Sequence, residues 1–233
     1  MKAIIETTGG LGDNLQKSTI PRMLTESGYE VYVNYTYEDR FIHNPEILRL
    51  VWEMNPYVRG FTEEEPNLLR AGGAPNLNND FIKNWESFYG LIPTNSYPEI
   101  YYKPKKIEGI DVAVDLSWLS GDYTIETVKK TAERLLMAYK DRKCKQILSK
   151  YQISNTELDI DKIQCDTIFE LTDALFSAKI VITLSSGSHM LSAAIHKGTI
   201  MQFCIMPDWL PEFPHYRLPN IQYIYPNNSV KII

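Results

Sequence analysis

Little in this chain invites redox or metal chemistry. Its three cysteines, Cys144, Cys165 and Cys204, lie far apart and form no Cys-x-x-Cys pair, so neither a zinc ribbon nor a dithiol motif is present. An odd, scattered set of thiols suits a reducing compartment, and a cytoplasmic location is expected. Histidine is scarce as well, at four residues. His189 and His196 are seven apart and would share a helix face, but no third residue of ligand type sits nearby, so no metal is expected. Long apolar runs are missing too. None approaches the ~18 residues that a membrane span demands, and Glu6 interrupts the first apolar stretch, so neither a span nor a secretory leader is expected.

Positive charge is not in excess. Lys and Arg number 24 against 29 Asp and Glu, a net charge of −5, and such a field does not favour general affinity for nucleic-acid phosphates. The one basic cluster, Lys140, Arg142, Lys143 and Lys145, reads as the solvated end of a helix, where cations suit the helix dipole.

What is present fits a globular protein. Hydrophobic residues at 44% and charged residues at 23% are enough to bury a core, and 233 residues hold one large α/β domain or two small ones. Lys2 to Thr7 reads as a buried strand, followed by a glycine turn from Thr8 to Gly12 and a helix from about Asp13, where Asp13 and Gln16 have capping-box spacing. Pro21 must kink or split that helix. Glu30 to Tyr35 reads as a second strand, and Asn44 to Met54 and Phe81 to Tyr89 as helices, with a surface loop over Glu63 to Asp80. Pro93, Pro98 and Pro104 mark a junction, dividing the chain into domains 1–103 and 104–233.

In the second half, Gly109 to Ser117 reads as a strand and Thr124 to Lys150 as a long amphipathic helix, followed by a polar segment. Thr167 and Glu170 form a capping box ahead of Ile168, Leu171 and Leu175. Lys179 to Leu184 is a buried strand, Ser185 to Ser188 a tight turn, His189 to Lys197 a helix closed by Gly198, and Thr199 to Ile205 another strand. Trp209, Phe213 and Tyr216 among prolines form an irregular aromatic segment that either covers a site or pads a sheet edge.

Two turns sit where a strand gives way to a helix, the side on which open α/β sheets take ligands. A helix start carries unpaired N–H groups and a positive dipole, so it favours an anion. At the second turn Gly187 permits close approach, Ser185, Ser186 and Ser188 offer hydroxyls, and His189 offers a donor or a positive charge. Serines also cap helices without any ligand, yet five polar or small residues in a row exceed what a cap requires. At the first turn Gly9, Gly10 and Gly12 allow close approach to the backbone. There Asp13 is either an N-cap or a general base for an acceptor hydroxyl.

The Gly-Gly-Leu-Gly-Asp13 turn, together with the block from Glu170 to Ala194, resembles the bacterial heptosyltransferases, glycosyltransferase family 9. The resemblance implies a GT-B-like α/β fold, with two small Rossmann-like halves facing a cleft, an acceptor-side first domain and a nucleotide-sugar-binding second domain. It further implies metal-independent, inverting transfer of a sugar from a nucleotide-sugar donor, with no cofactor, Asp13 as base and Ser186-Gly187 at the donor phosphates. The acceptor hydroxyl is unspecified, on a glycan, a small molecule or a modified nucleic acid. The chain departs from the family pattern at Ser185, where an aspartate is usual, and at Met190, where the histidine usually falls. It also has no lysine in Ser117-Trp118-Leu119-Ser120, and it is shorter than typical members. These departures keep open an alternative, a non-catalytic nucleotide or sugar-phosphate binding protein on a reduced scaffold.

Other readings fit less well. The third glycine of a dinucleotide fingerprint is replaced by Leu15, and Asp159-Ile160-Asp161 follows a polar stretch rather than the buried strand a metal-binding Asp-x-Asp needs. Thr183 stands where a serine-hydrolase elbow needs glycine.

Overall fold

The computed structural model describes residues 1–7, 9–34, 45–67, 81–118, 123–150, 156–207 and 218–226. The chain forms two compact units, one based on Met1–Lys103 and the other on Pro104–Phe213. Among the described residues no helix is long and apolar enough to cross a membrane. The aromatic segment around Trp209, Phe213 and Tyr216 and most of the loop over 63–80 lie outside the described residues.

The first unit carries a three-stranded parallel sheet in the order β1-β2-β3, with β1 Lys2–Glu6, β2 Glu30–Asn34 and β3 Val58–Thr62. Ala3, Ile4, Ile5, Val31 and Val33 are buried, as expected of strands covered on both faces. The helix read from Asp13 is split, as Pro21 requires: α1 spans Leu11–Gln16 and α2 Ile20–Glu26, with the proline in the first turn of α2 where its missing N–H costs nothing. The stretch read as one helix from Asn44 is α3, Pro45–Leu48, which runs directly into a wider π-turn over Arg49–Glu53. That turn swings Trp52 fully inside. α4 spans Phe81–Phe88.

The second unit holds a six-stranded, all-parallel sheet: β4 Val112–Asp115, β5 Cys144–Ser149, β6 Asp161–Cys165, β7 Ile180–Leu184, β8 Met201–Ile205 and β9 Ile221–Ile224. Their order is β6-β5-β4-β7-β8-β9. This is the doubly wound Rossmann order, in which the chain starts in the middle, works outward to one edge and then crosses back. Helix α5, Ile125–Met137, covers one face, where Val128, Ala132 and Leu135 pack with Val112, Ile182 and Phe203. Helices α6, Ile168–Ser177, and α7, Gly187–His196, lie in contact with each other. The Thr167 capping box forms as read: the Thr167 hydroxyl accepts from the Glu170 N–H at 3.1 Å, and the Glu170 carboxylate accepts from the Thr167 N–H at 3.1 Å.

The long helix expected over Thr124 to Lys150 is corrected. It stops at Met137, the chain turns through residues 138–143, and Cys144–Ser149 enters the sheet between β4 and β6. No glycine or proline marks the turn, and residues of good helical propensity continue across it, so pairing on both sides of β5 overrides the local preference. The basic cluster therefore lies on that turn and at the start of a strand, not on a helix. The polar stretch after it contains β6, with Asp161 as its first residue.

Candidate functional site

The glycine turn of the first unit sits at the C-terminal end of β1. Helix α1 starts one residue after Gly10, so Asp13 is its third residue rather than the N-cap. Its Oδ2 reaches back to accept from the Gly10 N–H at 2.9 Å. Gly9 has φ 74°, and a Cβ there would lie 2.2 Å from Asp13 Oδ2, so only glycine lets the carboxylate take this position. The Asp13 side chain is exposed at a helix start, with one oxygen bound to the turn.

Two residues that sequence reasoning passes over hold the turn in place. Asn14, 3% exposed, donates from Nδ2 to the carbonyls of Gly10 at 2.8 Å and Gly9 at 3.3 Å, while its Oδ1 accepts from the buried Trp52 indole at 2.8 Å. Lys17 is fully buried; its Nζ donates to the Glu6 carbonyl at 3.1 Å and lies 5.0 Å from the centre of the Trp85 ring. Neither carries a sequence signal, because each role depends on a partner dozens of positions away or on burial.

In the second unit the strand order reverses between β4 and β7, and the crevice outside the carboxyl ends of those strands is where such sheets take ligands. β7 ends at Leu184, and Ser185-Ser186 leads into α7 at Gly187. Ser186, Ser185 and Gly187 are half-buried. The Ser186 hydroxyl is enclosed yet has no hydrogen-bond partner among the described residues. Its carbonyl accepts from the N–H groups of His189 at 3.1 Å and Met190 at 3.4 Å, whereas the N–H groups of Gly187 and Ser188 have no partner among the described residues. Those two amides, the Ser186 hydroxyl and the positive end of a ten-residue helix together suit an anionic guest.

Ser188 and His189 sit differently from the expectation that their side chains meet a ligand. Both are 3% exposed. The His189 ring packs edge-on against Tyr223, its Nε2 3.2 Å from the Tyr223 hydroxyl. Burial lowers its pKa to about 4, so the imidazole is neutral near pH 7 and supplies no positive charge. It braces α7 against β9.

At the end of β4 the Asp115 carboxylate, fully buried, accepts from both the backbone N–H and the hydroxyl of Ser117. The stretch Ser117 to Ser120, read for the presence of a lysine, is described as far as Trp118. Tyr123 then crosses to the β7 side, its hydroxyl 3.1 Å from the Ser185 nitrogen and 3.4 Å from the Ser185 oxygen. Among the described residues no three His, Cys, Asp or Glu side chains gather as a metal site.

An α/β chain with two parallel sheets, a Rossmann-ordered second sheet and a helix-start turn at its switch point has the GT-B-like fold of the heptosyltransferases. No model of a known protein family matches the sequence, and no curated protein does. Solved structures do match. The iron-containing dodecameric glycosyltransferase TibC from enterotoxigenic E. coli H10407 superposes with a TM-score of 0.65 at 15% identity, covering 94% of this chain and 61% of TibC. E. coli ADP-heptose lipopolysaccharide heptosyltransferase II superposes with a TM-score of 0.64 at 8% identity, covering 96% of this chain and 90% of that one. The glycosyltransferase family 9 protein from Veillonella parvula DSM 2008 gives 0.63 at 9% identity, covering 96% and 86%. At such identities the likeness is one of fold, and the chain spans about three fifths of the length of TibC.

Proposed function

We propose that this protein is a glycosyltransferase that moves a sugar from a nucleotide-activated donor to an acceptor hydroxyl, without a metal and with inversion. The observation that carries the reading is the turn Ser185-Ser186-Gly187 at the β4/β7 switch point, where the Ser186 hydroxyl and the amides of Gly187 and Ser188 have no partner among the described residues. A nucleoside diphosphate leaving group carries the charge such donors stabilise, and fixed amides need no reorganisation as that charge develops. The first unit is assigned to the acceptor and the second to the donor. Support comes from TibC, which has been solved in complex with ADP-D-beta-D-heptose.

Asp13 is assigned as the base: one oxygen is held by Gly10, and the exposed carboxylate takes the proton of the acceptor hydroxyl as that oxygen bonds to the anomeric carbon. The bond to the diphosphate oxygen breaks, and its charge is received at the α7 start. Ser188 and His189 act from beneath, positioning the turn rather than touching the donor. No cofactor is required, the acceptor class is open, and a cytoplasmic setting suits the three free thiols.

A second reading, binding of a nucleotide or sugar phosphate without turnover, is favoured by one observation: the Asp13 carboxylate already serves as the cap of α1. Both readings are tested by one panel. Thermal shifts with ADP, UDP, GDP, CMP and their sugars identify the donor, and mass detection of released nucleotide reports turnover. Transfer expects release that needs an acceptor and is abolished in a folded Asp13→Asn variant. Full turnover by that variant removes the base assignment, and stabilisation without release leaves the binding protein.

A further inference from the structure

At the opposite, N-terminal edge of the second sheet lies a cavity of about 750 Å³, bounded by Gly109 before β4, Cys144 at the start of β5 and Asp161 at the start of β6. Its size falls in the range of small-molecule pockets, roughly 300–1,000 Å³. Part of the wall is apolar: Leu136 and Leu158 are buried in the core beneath it, Ile160 packs on the same core, and Met137 stands 75% exposed at the end of α5.

Four cations surround that apolar wall. Lys140, Arg142 and Lys143 are exposed and Lys145 is half-buried. None of the four forms an ion pair or a side-chain hydrogen bond among the described residues. They are not spent as helix caps either, because the Leu135 and Leu136 carbonyls accept from the N–H groups of Ala138 at 3.2 Å and Tyr139 at 2.8 Å.

Three carboxylates also line the cavity, Glu133, Asp159 and Asp161, and the first of them faces a cation outside the lining. Glu133 faces Lys129 at 4.0 Å, and Asp161 is the register partner of Lys145 across the β5–β6 ladder. Asp111 is bridged by Lys179 at 3.0 Å, the main cause of its lowered pKa, with a smaller contribution from Arg142. The four lining cations exceed the three lining carboxylates, and Glu133 also faces Lys129, so the rim carries a small local excess of positive charge on a chain whose net charge is −5.

We propose that this cavity binds a small amphiphilic phosphate, an anionic head on an apolar body. The head meets the guanidinium and ammonium groups in charge-assisted hydrogen bonds, and the body covers Met137, Ile160 and the edge of Leu136. The site is separate from the Ser185 turn and does not depend on the glycosyltransferase reading.

Isothermal titration of the whole chain tests this with dodecyl phosphate below its micelle concentration, inorganic phosphate and dodecyltrimethylammonium. Dodecyl phosphate is expected to bind one to one, at least roughly tenfold tighter than inorganic phosphate, and to weaken as salt rises. The cationic surfactant is expected not to bind. Lys140→Glu with Lys143→Glu, and separately Met137→Gln, should each weaken dodecyl phosphate by roughly tenfold, with circular dichroism melts confirming the fold. If the double reversal does not fold, Lys140→Gln with Lys143→Gln takes its place. Sedimentation with phosphatidylcholine vesicles containing phosphatidic acid separates the sources: capture assigns a bilayer headgroup, and titration without capture a free molecule. Equal affinity for inorganic phosphate, binding of the cationic surfactant, or variants that bind dodecyl phosphate as the parent does would each overturn the site.

Discussion

The hydroxyl of Tyr123 brackets the peptide of Ser185, accepting from its N–H at 3.1 Å and donating to its carbonyl at 3.4 Å. Burial drives the phenol pKa well above its ordinary value, so the hydroxyl stays a donor across the working pH range. Tyr123→Phe removes both bonds. Because the Ser185 N–H also donates to the Ile205 carbonyl at 3.2 Å, the loss should be about 1 kcal/mol, or a melting temperature lower by about 2–4 °C. Amide exchange should quicken at Ser185 and not at α5.

Asn14 joins the glycine turn to the core through three hydrogen bonds. Asn14→Ala leaves the Trp52 indole N–H unsatisfied at a fully buried site, at a cost of about 2–3 kcal/mol. Asn14→Asp should cost more, since a buried carboxylate cannot donate to the two glycine carbonyls. Urea unfolding of the two variants gives the order directly.

Gly9 and Gly28 both have positive φ, 74° and 88°, and separate two effects. A Cβ at Gly28 meets nothing within 4 Å, so Gly28→Ala should cost only the backbone strain of about 1 kcal/mol. At Gly9 the same change also drives out the Asp13 carboxylate, and the loss should be about 2–3 kcal/mol. Equal losses in denaturant unfolding would show that Asp13 has another stable place to go.

His189 predicts an acid limb in stability. Its folded pKa, about 4, lies below the ordinary 6.5, so between these values the unfolded chain binds a proton that the folded chain does not. Stability is fully present above about pH 6.5 and falls as the pH drops to about 4, by on the order of 3 kcal/mol. Burial also lowers the His196 pKa, which acts in the same direction. Unfolding free energies at pH 7 and pH 4.5 should converge in His189→Gln relative to the parent.

Sequence signals located some elements to the residue and missed others. Thr167, Glu170 and the run Ile180–Leu184 are legible because a capping box and a buried strand are defined by residues next to one another. β3, β5, β6 and β9 are not, because Val58–Thr62 has no buried position and Asp161–Cys165 only one, and such strands gain their character from neighbours in the sheet. The glycine turn and the serine turn are visible as compositions. That Asp13 caps from inside the helix depends on where the helix begins, and that His189 points inward and Tyr123 meets Ser185 depends on packing between distant segments.

The placing of β4 also bears on how the second unit comes into being. This strand is bonded on one side to Cys144–Ser149, the next strand to be made, and on the other to Ile180–Leu184, so only one of its edges finds a partner early as the chain leaves the ribosome. The edge that faces Ile180–Leu184 must stay unpaired until about seventy further residues have been made. A chain cut short before Ile180 would hold a centre without its second partner, and ribosome-bound intermediates of that length are where chaperone capture or aggregation should concentrate.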